Sequence, residues 1–183
     1  MVWLMSLVLA GAAGHAPVTA PITAPPLAHA APASAEQLLS SAGRRIRSPE
    51  PRILKLMTEG ARRSRTFANL VKRIHQTDLI VYVETVHDMK GDTVGRILLQ
   101  TVAGGRRYVR VQIRSMLAGD QIIAVVAHEL RHAIEVAEDA SVVDDATMTQ
   151  LYQRIGHLSE GQKGYDTDEA RSTGFRVRDE LVG

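Results

Sequence analysis

His128-Glu129-Leu130-Arg131-His132 sets two imidazoles four residues apart, with a carboxylate directly after the first. On an α-helix, positions i and i+4 stand one above the other on the same face, so both rings can reach a single metal ion. Paired imidazoles at this spacing suit Zn2+. Glu129, next in sequence to the first ring, then falls where a general base can act on water at that ion. The chemistry indicated is zinc-assisted hydrolysis.

The flanks decide how much a five-residue pattern means. Between Gly119 and Asp139 there is neither proline nor glycine. The apolar run Ile122-Ile123-Ala124-Val125-Val126-Ala127 leads into His128 and continues through Leu130, Ala133, Ile134 and Val136. This spacing predicts a largely buried helix over residues 119–139 with the motif in its middle. The plain alternative is a solvated face on which Arg131 and Glu135 pair at i,i+4 and the histidines do nothing. The apolar setting counts against it, because a carboxylate buried beside two histidines without a metal is costly.

The elements around that helix follow from local patterns. Ile53, Leu56, Met57, Ala61, Phe67, Leu70, Val71 and Ile74 recur at helical spacing over residues 51–76, with Gly60 and its neighbouring arginines as the expected break. Residues 78–86 are short and rich in β-branched side chains, which predicts a buried strand. A second strand is expected over 96–102 and a third over 106–114, joined by a tight turn at Ala103-Gly104-Gly105. In the third, Val109, Val111 and Ile113 point one way and Tyr108, Arg110, Gln112 and Arg114 the other, as in a strand with one wet face. Helices over 144–155 and 166–181 complete an α+β fold, a small antiparallel sheet of about three strands packed against helices. The strand over 106–114 is read as the sheet edge, where an extended peptide could add as a further strand.

Composition narrows the function classes. With 183 residues, 45% of them hydrophobic, the chain suffices for one domain with a core and is short for two. The absence of cysteine excludes disulfides, thiolate zinc sites and a cysteine nucleophile. A net charge of +2 does not call for a polyanionic partner. The basic residues gathered between Arg44 and Arg73 read as a solvated helix face. Aromatic residues make up 4%, so stacking on bases is poorly supported and no nucleic-acid partner is expected.

Residues 1–35 contain no Lys, Arg, Asp or Glu, and residues 2–10 form an apolar stretch too short to span a bilayer. This fits the core of an export signal without a basic start, with cleavage candidates at Ala28-His29-Ala30 and Ala33-Ser34-Ala35. Residues 16–34, dominated by Ala and Pro, would form an extended tether if retained. The expected organisation is an export leader over 1–35 and a single metallohydrolase domain over 36–183. The product would be periplasmic or secreted, signal-anchored if the leader stays, and without a stable membrane span once it is removed.

With H-E-x-x-H on a buried helix that follows a set of strands, the chain resembles the zincin metallopeptidases, in a small exported bacterial-type form. Within them it is most similar to the gluzincin type. The resemblance runs from the strand region to the last helix, and the motif is its specific part. It implies that His128 and His132 bind zinc, that Glu129 activates water, and that a carboxylate on a later helix completes the ligand set. The metzincin variant needs a glycine and then a histidine where this chain has Glu135 and Glu138.

Among the carboxylates, Asp166 is favoured as third ligand. It opens the last helical pattern, and Ala170, Gly174 and Val177 share its face with small residues that would let this helix pack close. Glu169 shares part of that face, has the residue type usual in gluzincins and is the close second. Glu135 lies on the histidine stripe but about one turn beyond His132, so it would have to stretch. Asp168 would point away. Without a metal, the acidic cluster simply favours a helix N-terminus. The fuller Asn-Glu-x-x-x-Asp signature of larger gluzincins is missing here.

Tyr152, His157 and Tyr165 are the polar groups after the motif that could stabilise an oxyanion, each equally able to be structural. The first functional reading is a zinc metallopeptidase acting on a peptide or protein substrate. A second is a metal-stabilised, non-catalytic periplasmic binding module, in which Asp166, Glu169 and Glu135 all close on the ion. A third drops the metal and makes the arginine-rich segment a polyanion-binding face.

Overall fold

In the computed structural model, which describes residues 45–89, 91–158 and 164–183, the chain begins with β1 (Ile46–Arg47), α1 (Pro51–Arg63) and α2 (Arg65–His75). The sheet strands β2 (Leu79–Val86), β3 (Gly95–Ala103) and β4 (Arg106–Arg114) follow. The motif helix α3 (Gly119–Glu138) leads to α4 (Asp145–Ile155), β5 (His157–Leu158), β6 (Tyr165–Asp166) and α5 (Asp168–Val182). All of these lie in one compact unit. The expected leader, residues 1–35, is outside the described residues.

The α+β class holds, but the sheet is mixed rather than antiparallel. Its order is β1-β2-β4-β3, with β1 and β4 both parallel to β2 and only β3 antiparallel, beside β4. A separate antiparallel pair is formed by β5 and β6. Alternation along a strand tells which face is buried and nothing of its partner. The β3–β4 hairpin closes through Gly104 and Gly105 at φ 56 and 67, the left-handed pair of a type I′ turn. β4 thereby lies between β2 and β3. The strand read from sequence as the edge is internal, and among the described residues the sheet edge near the motif helix is β3.

Side-chain alternation on β4 follows the expected parity. Val109, Val111 and Ile113 join Leu79, Val81 and Val83 in the core, while Tyr108, Arg110 and Arg114 are half-buried on the opposite face. Gln112 departs by being buried. Its amide donates to Glu84 and accepts from Arg96, each at 2.7 Å, so its polar atoms are satisfied across three strands.

The helices cover the core face. The break between α1 and α2 falls at Ser64 and not at Gly60. Ser64 Oγ accepts from Phe67 N at 3.0 Å, and the Glu180 carboxylate of α5 accepts from Ser64 and Thr66, clasping the joint. Gly60 stays inside α1, where a Cβ would come within 2.6 Å of Ile123 Cγ2, so its bareness lets α1 lie on α3.

Ile122, Ile123, Val126, Leu130 and Ile134 of α3 are fully buried, each stabilising the fold by about 1.5–3 kcal/mol. The C-terminal end of α3 has no basic residue in its last turn, and its carbonyls are capped from the sheet. Arg107 donates to Val136 O and Asp139 O at 2.7 Å and to Ala137 O at 3.1 Å, while the Asp78 carboxylate holds the guanidinium at 2.8 Å. That pairing holds the Asp78 carboxyl below its ordinary range. Among the described residues no helix is long and apolar enough to cross a membrane.

Candidate metal centre

Two adjoining pieces of chain meet at the motif. α3 supplies His128 and His132 from one face, and Asp166 arrives from β6. The sequence pattern started the last helix at Asp166; in the structure α5 begins at Asp168 and Thr167 is its N-cap. The small face of α5 is nevertheless what docks. Ala170 and Val177 are buried, and a Cβ on Gly174 would lie 3.3 Å from His128 Cβ. Gly156 ends α4 where a Cβ would meet the Asp166 carbonyl at 2.8 Å, so the approach to Asp166 also depends on a bare glycine.

The donor atoms form a small triangle. His128 Nε2 and His132 Nε2 are 3.1 Å apart, and Asp166 Oδ1 lies 3.3 Å from the first and 3.4 Å from the second. Ligands held tetrahedrally at about 2.0–2.1 Å from zinc stand about 3.3–3.4 Å from one another. The two imidazole nitrogens and one carboxylate oxygen therefore match zinc in donor type and in spacing. Among the described residues they are the only group of three or more such side chains converged in this way. The His128 side chain is 25% exposed and that of Asp166 17%, so the triangle opens toward solvent on their side, with His132 behind.

The protonation of His132 can be assigned from its neighbours. Its Nδ1 lies 2.8 Å from Glu135 Oε2, and a carboxylate can only accept, so Nδ1 carries the hydrogen. In the neutral ring Nε2 is then a bare lone pair aimed at the triangle, the arrangement common to metal-bound histidines. Burial works against a charged His132. Hydrogen bonds to Asp166 and Glu135, with the Glu129 charge, outweigh it and lift the pKa to about 9 in the metal-free chain. Burial likewise opposes ionisation of Asp166, yet hydrogen bonds from His128 and His132 hold its carboxyl well below the usual range.

Glu129 stands apart from this network. It is buried on the β3 side of α3, where a Cβ on Gly95 would come within 2.5 Å of its Oε1. Burial raises its pKa, and the two histidines pull in the opposite direction. No hydrogen bond to its carboxylate occurs among the described residues. A desolvated carboxylate with no committed donor gains proton affinity, which the neighbouring imidazoles offset only in part.

The remaining candidates fall in different places. Glu135 is not in the triangle; it braces His132 and lies 3.8 Å from Arg131 Nε. Glu169 is exposed on the first turn of α5 and is not part of the cluster. Tyr152 is buried behind His132, its ring edge-on to the imidazole, with its hydroxyl donating to the His132 carbonyl at 3.3 Å. Burial pushes that phenol well above its ordinary pKa. His157 is exposed, 2.8 Å from Arg171 Nη2, and that guanidinium also approaches Asp166 Oδ2 at 3.4 Å. Tyr165 is half-buried in β6 beside Asp166.

Sequence reasoning passed over Thr167. Its signal was a threonine followed by Asp168 and Glu169, an N-cap ahead of an acidic first turn. Comparison of the chain with family models, with curated proteins and with solved structures found no match.

Proposed function

We propose that this chain is a zinc-dependent hydrolase of the zincin type, a peptidase in which His128, His132 and Asp166 hold the metal and Glu129 is the general base. The observation that carries the reading is the triangle of two imidazole nitrogens and one carboxylate oxygen with 3.1–3.4 Å sides, matched to zinc in chemistry and size. Zinc bound there would supply Lewis acidity, acidifying water and polarising a carbonyl.

Glu129 takes the proton of the attacking water on its carboxylate and returns it to the leaving amine nitrogen. The edge position of β3 among the described residues supports an extended peptide as substrate. A strand added there would run past Gly95, whose missing side chain leaves the Glu129 carboxylate in reach. The non-catalytic reading needs Glu135 and Glu169 to close on the ion. Glu135 is engaged by His132 and Thr167, and Glu169 is exposed, which favours a three-ligand site with room for water.

The test is metal content and peptide hydrolysis measured on the same preparations. The unaltered chain should hold one zinc and cleave members of an unbiased peptide library. His132→Ala and Asp166→Ala should lose both zinc and activity. A chain that takes up no zinc after supplementation sinks the reading. Zinc without hydrolysis against any peptide leaves the non-catalytic module.

A further inference from the structure

Thr167 is 3% exposed and touches both halves of the centre. Its Oγ1 lies 2.8 Å from Glu135 Oε1, and Glu135 Oε2 lies 2.8 Å from His132 Nδ1. Its backbone N–H donates to Asp166 Oδ1 at 2.8 Å. The hydroxyl has one hydrogen, and a carboxylate can only accept, so that hydrogen points to Glu135. A lone pair on the same oxygen accepts from Ala170 N at 3.1 Å, which caps α5. One residue therefore sets the carboxylate that orients His132 and the carboxylate that joins the triangle, and does so from a strand-to-helix junction distant in sequence from α3.

On the metal reading above, on which this rests, we propose that Thr167 is a positioning residue that sets the zinc affinity of the site. It does so by a hydroxyl–carboxylate–imidazole relay from Thr167 through Glu135 to His132. Without the hydroxyl, Glu135 Oε1 loses its buried donor and is left to Arg131 Nε at 3.8 Å, so the carboxylate can turn toward that guanidinium and away from Nδ1. The His132 ring then loses the partner that fixes both its tautomer and its aim. Partners of this kind behind a metal-bound histidine are typically worth about 10–100-fold in affinity. The Asp166 arm is held by a backbone N–H and survives substitution at Thr167, so a side-chain change isolates the His132 arm.

Three substitutions separate the relay from the helix cap. Thr167→Ser keeps both functions of the hydroxyl. Thr167→Val preserves the shape and loses both. Thr167→Asp retains a strong N-cap and cannot donate to Glu135. Zinc affinity is measured by chelator competition, alongside the thermal midpoint of each metal-free chain. Serine should bind zinc within a few-fold of the unaltered chain, and valine should lose about 10–100-fold. Aspartate should lose at least as much as valine even where its metal-free midpoint is preserved. Equal affinity in the valine and unaltered chains overturns the relay alone. Restoration of affinity by aspartate shows that the cap was what mattered and overturns it as well. Absence of zinc from the unaltered chain removes the metal reading and the relay together.

Discussion

The two flanks of α3 treat a buried carboxylate in opposite ways. Toward β3 lies Glu129, 4% exposed, with no hydrogen bond among the described residues and with its pKa raised by burial. Toward α5 lies Glu135, 5% exposed, with one oxygen on His132 and the other on Thr167. They are less than two turns apart on one helix. Burial alone therefore does not set the two carboxylates apart. The donors committed to each do, because every donor fixes a carboxylate in place.

The largest expected effect breaks that contrast directly. Glu129→Gln should retain zinc and lose about 10²–10⁴-fold in peptide hydrolysis, the scale of a lost general base. Glu135→Gln should reverse the pattern, weakening zinc by about 10–100-fold while hydrolysis at saturating metal stays near the original rate. Paired chelator titrations and kcat measurements read both. If Glu129→Gln loses the metal, or Glu135→Gln abolishes turnover of the zinc-loaded protein, the division of labour between the flanks is wrong.

The second effect is a pH dependence that the metal removes. In the metal-free chain His132 titrates near 9 against an ordinary value of 6.5. A raised pKa stabilises the fold fully below the unfolded value and ceases to do so as pH rises through the folded one. The metal-free thermal midpoint should therefore fall between pH 6.5 and about 9. Zinc must displace that same proton, so the stabilisation it adds should grow across the same interval. Melting curves with chelator and with zinc should diverge as pH rises. Parallel curves would remove His132 from the ligand set.

A third contrast concerns the glycine that lets β3 lie against the Glu129 flank. Gly95→Ala would set a Cβ 2.5 Å from Glu129 Oε1 and 2.6 Å from Val125 Cγ1, distances that something must relieve. Overpacking of this kind costs about 1–3 kcal/mol. Because the displaced group is Glu129, hydrolysis should fall while zinc affinity holds. Loss of zinc with intact turnover per bound metal would mean that β3 supports the ligands and not the base.

How far these features could be read from sequence depends on how local they are. His128, Glu129 and His132 are an i, i+1, i+4 relation, and the apolar residues around them fix the helix, so both the element and the triad were legible. The bounds of β4 were legible too, because alternation and Gly104-Gly105 are local signals. The parallel pairing of β2 with β4 was not, since it arises only when β3 folds back outside β4. Asp166 was singled out through the small face Ala170, Gly174 and Val177, although it sits in β6, ahead of the helix that carries that face. The bond from Thr167 to Glu135 joins residues distant in sequence, and nothing in either neighbourhood announces the other.

The smallest effect is expected at the glycine on the α5 side, and two terms compete there. Gly174→Ala would place a Cβ 3.3 Å from His128 Cβ and 3.5 Å from Ala124 O, tight enough that a neighbour must give by a few tenths of an ångström. Against this, alanine inside a helix is favoured over glycine by about 0.8–1.0 kcal/mol. The thermal midpoint should consequently move little in either direction. The displacement falls on a proposed metal ligand, however, and a shift of that size at His128 distorts a triangle whose sides match zinc. Zinc affinity should drop a few-fold with turnover per bound zinc unchanged, the reverse of the outcome at Gly95. If Gly174→Ala lowers turnover per bound zinc and leaves affinity alone, the α5 flank contributes to the chemistry and the separation between the two sides of the helix fails.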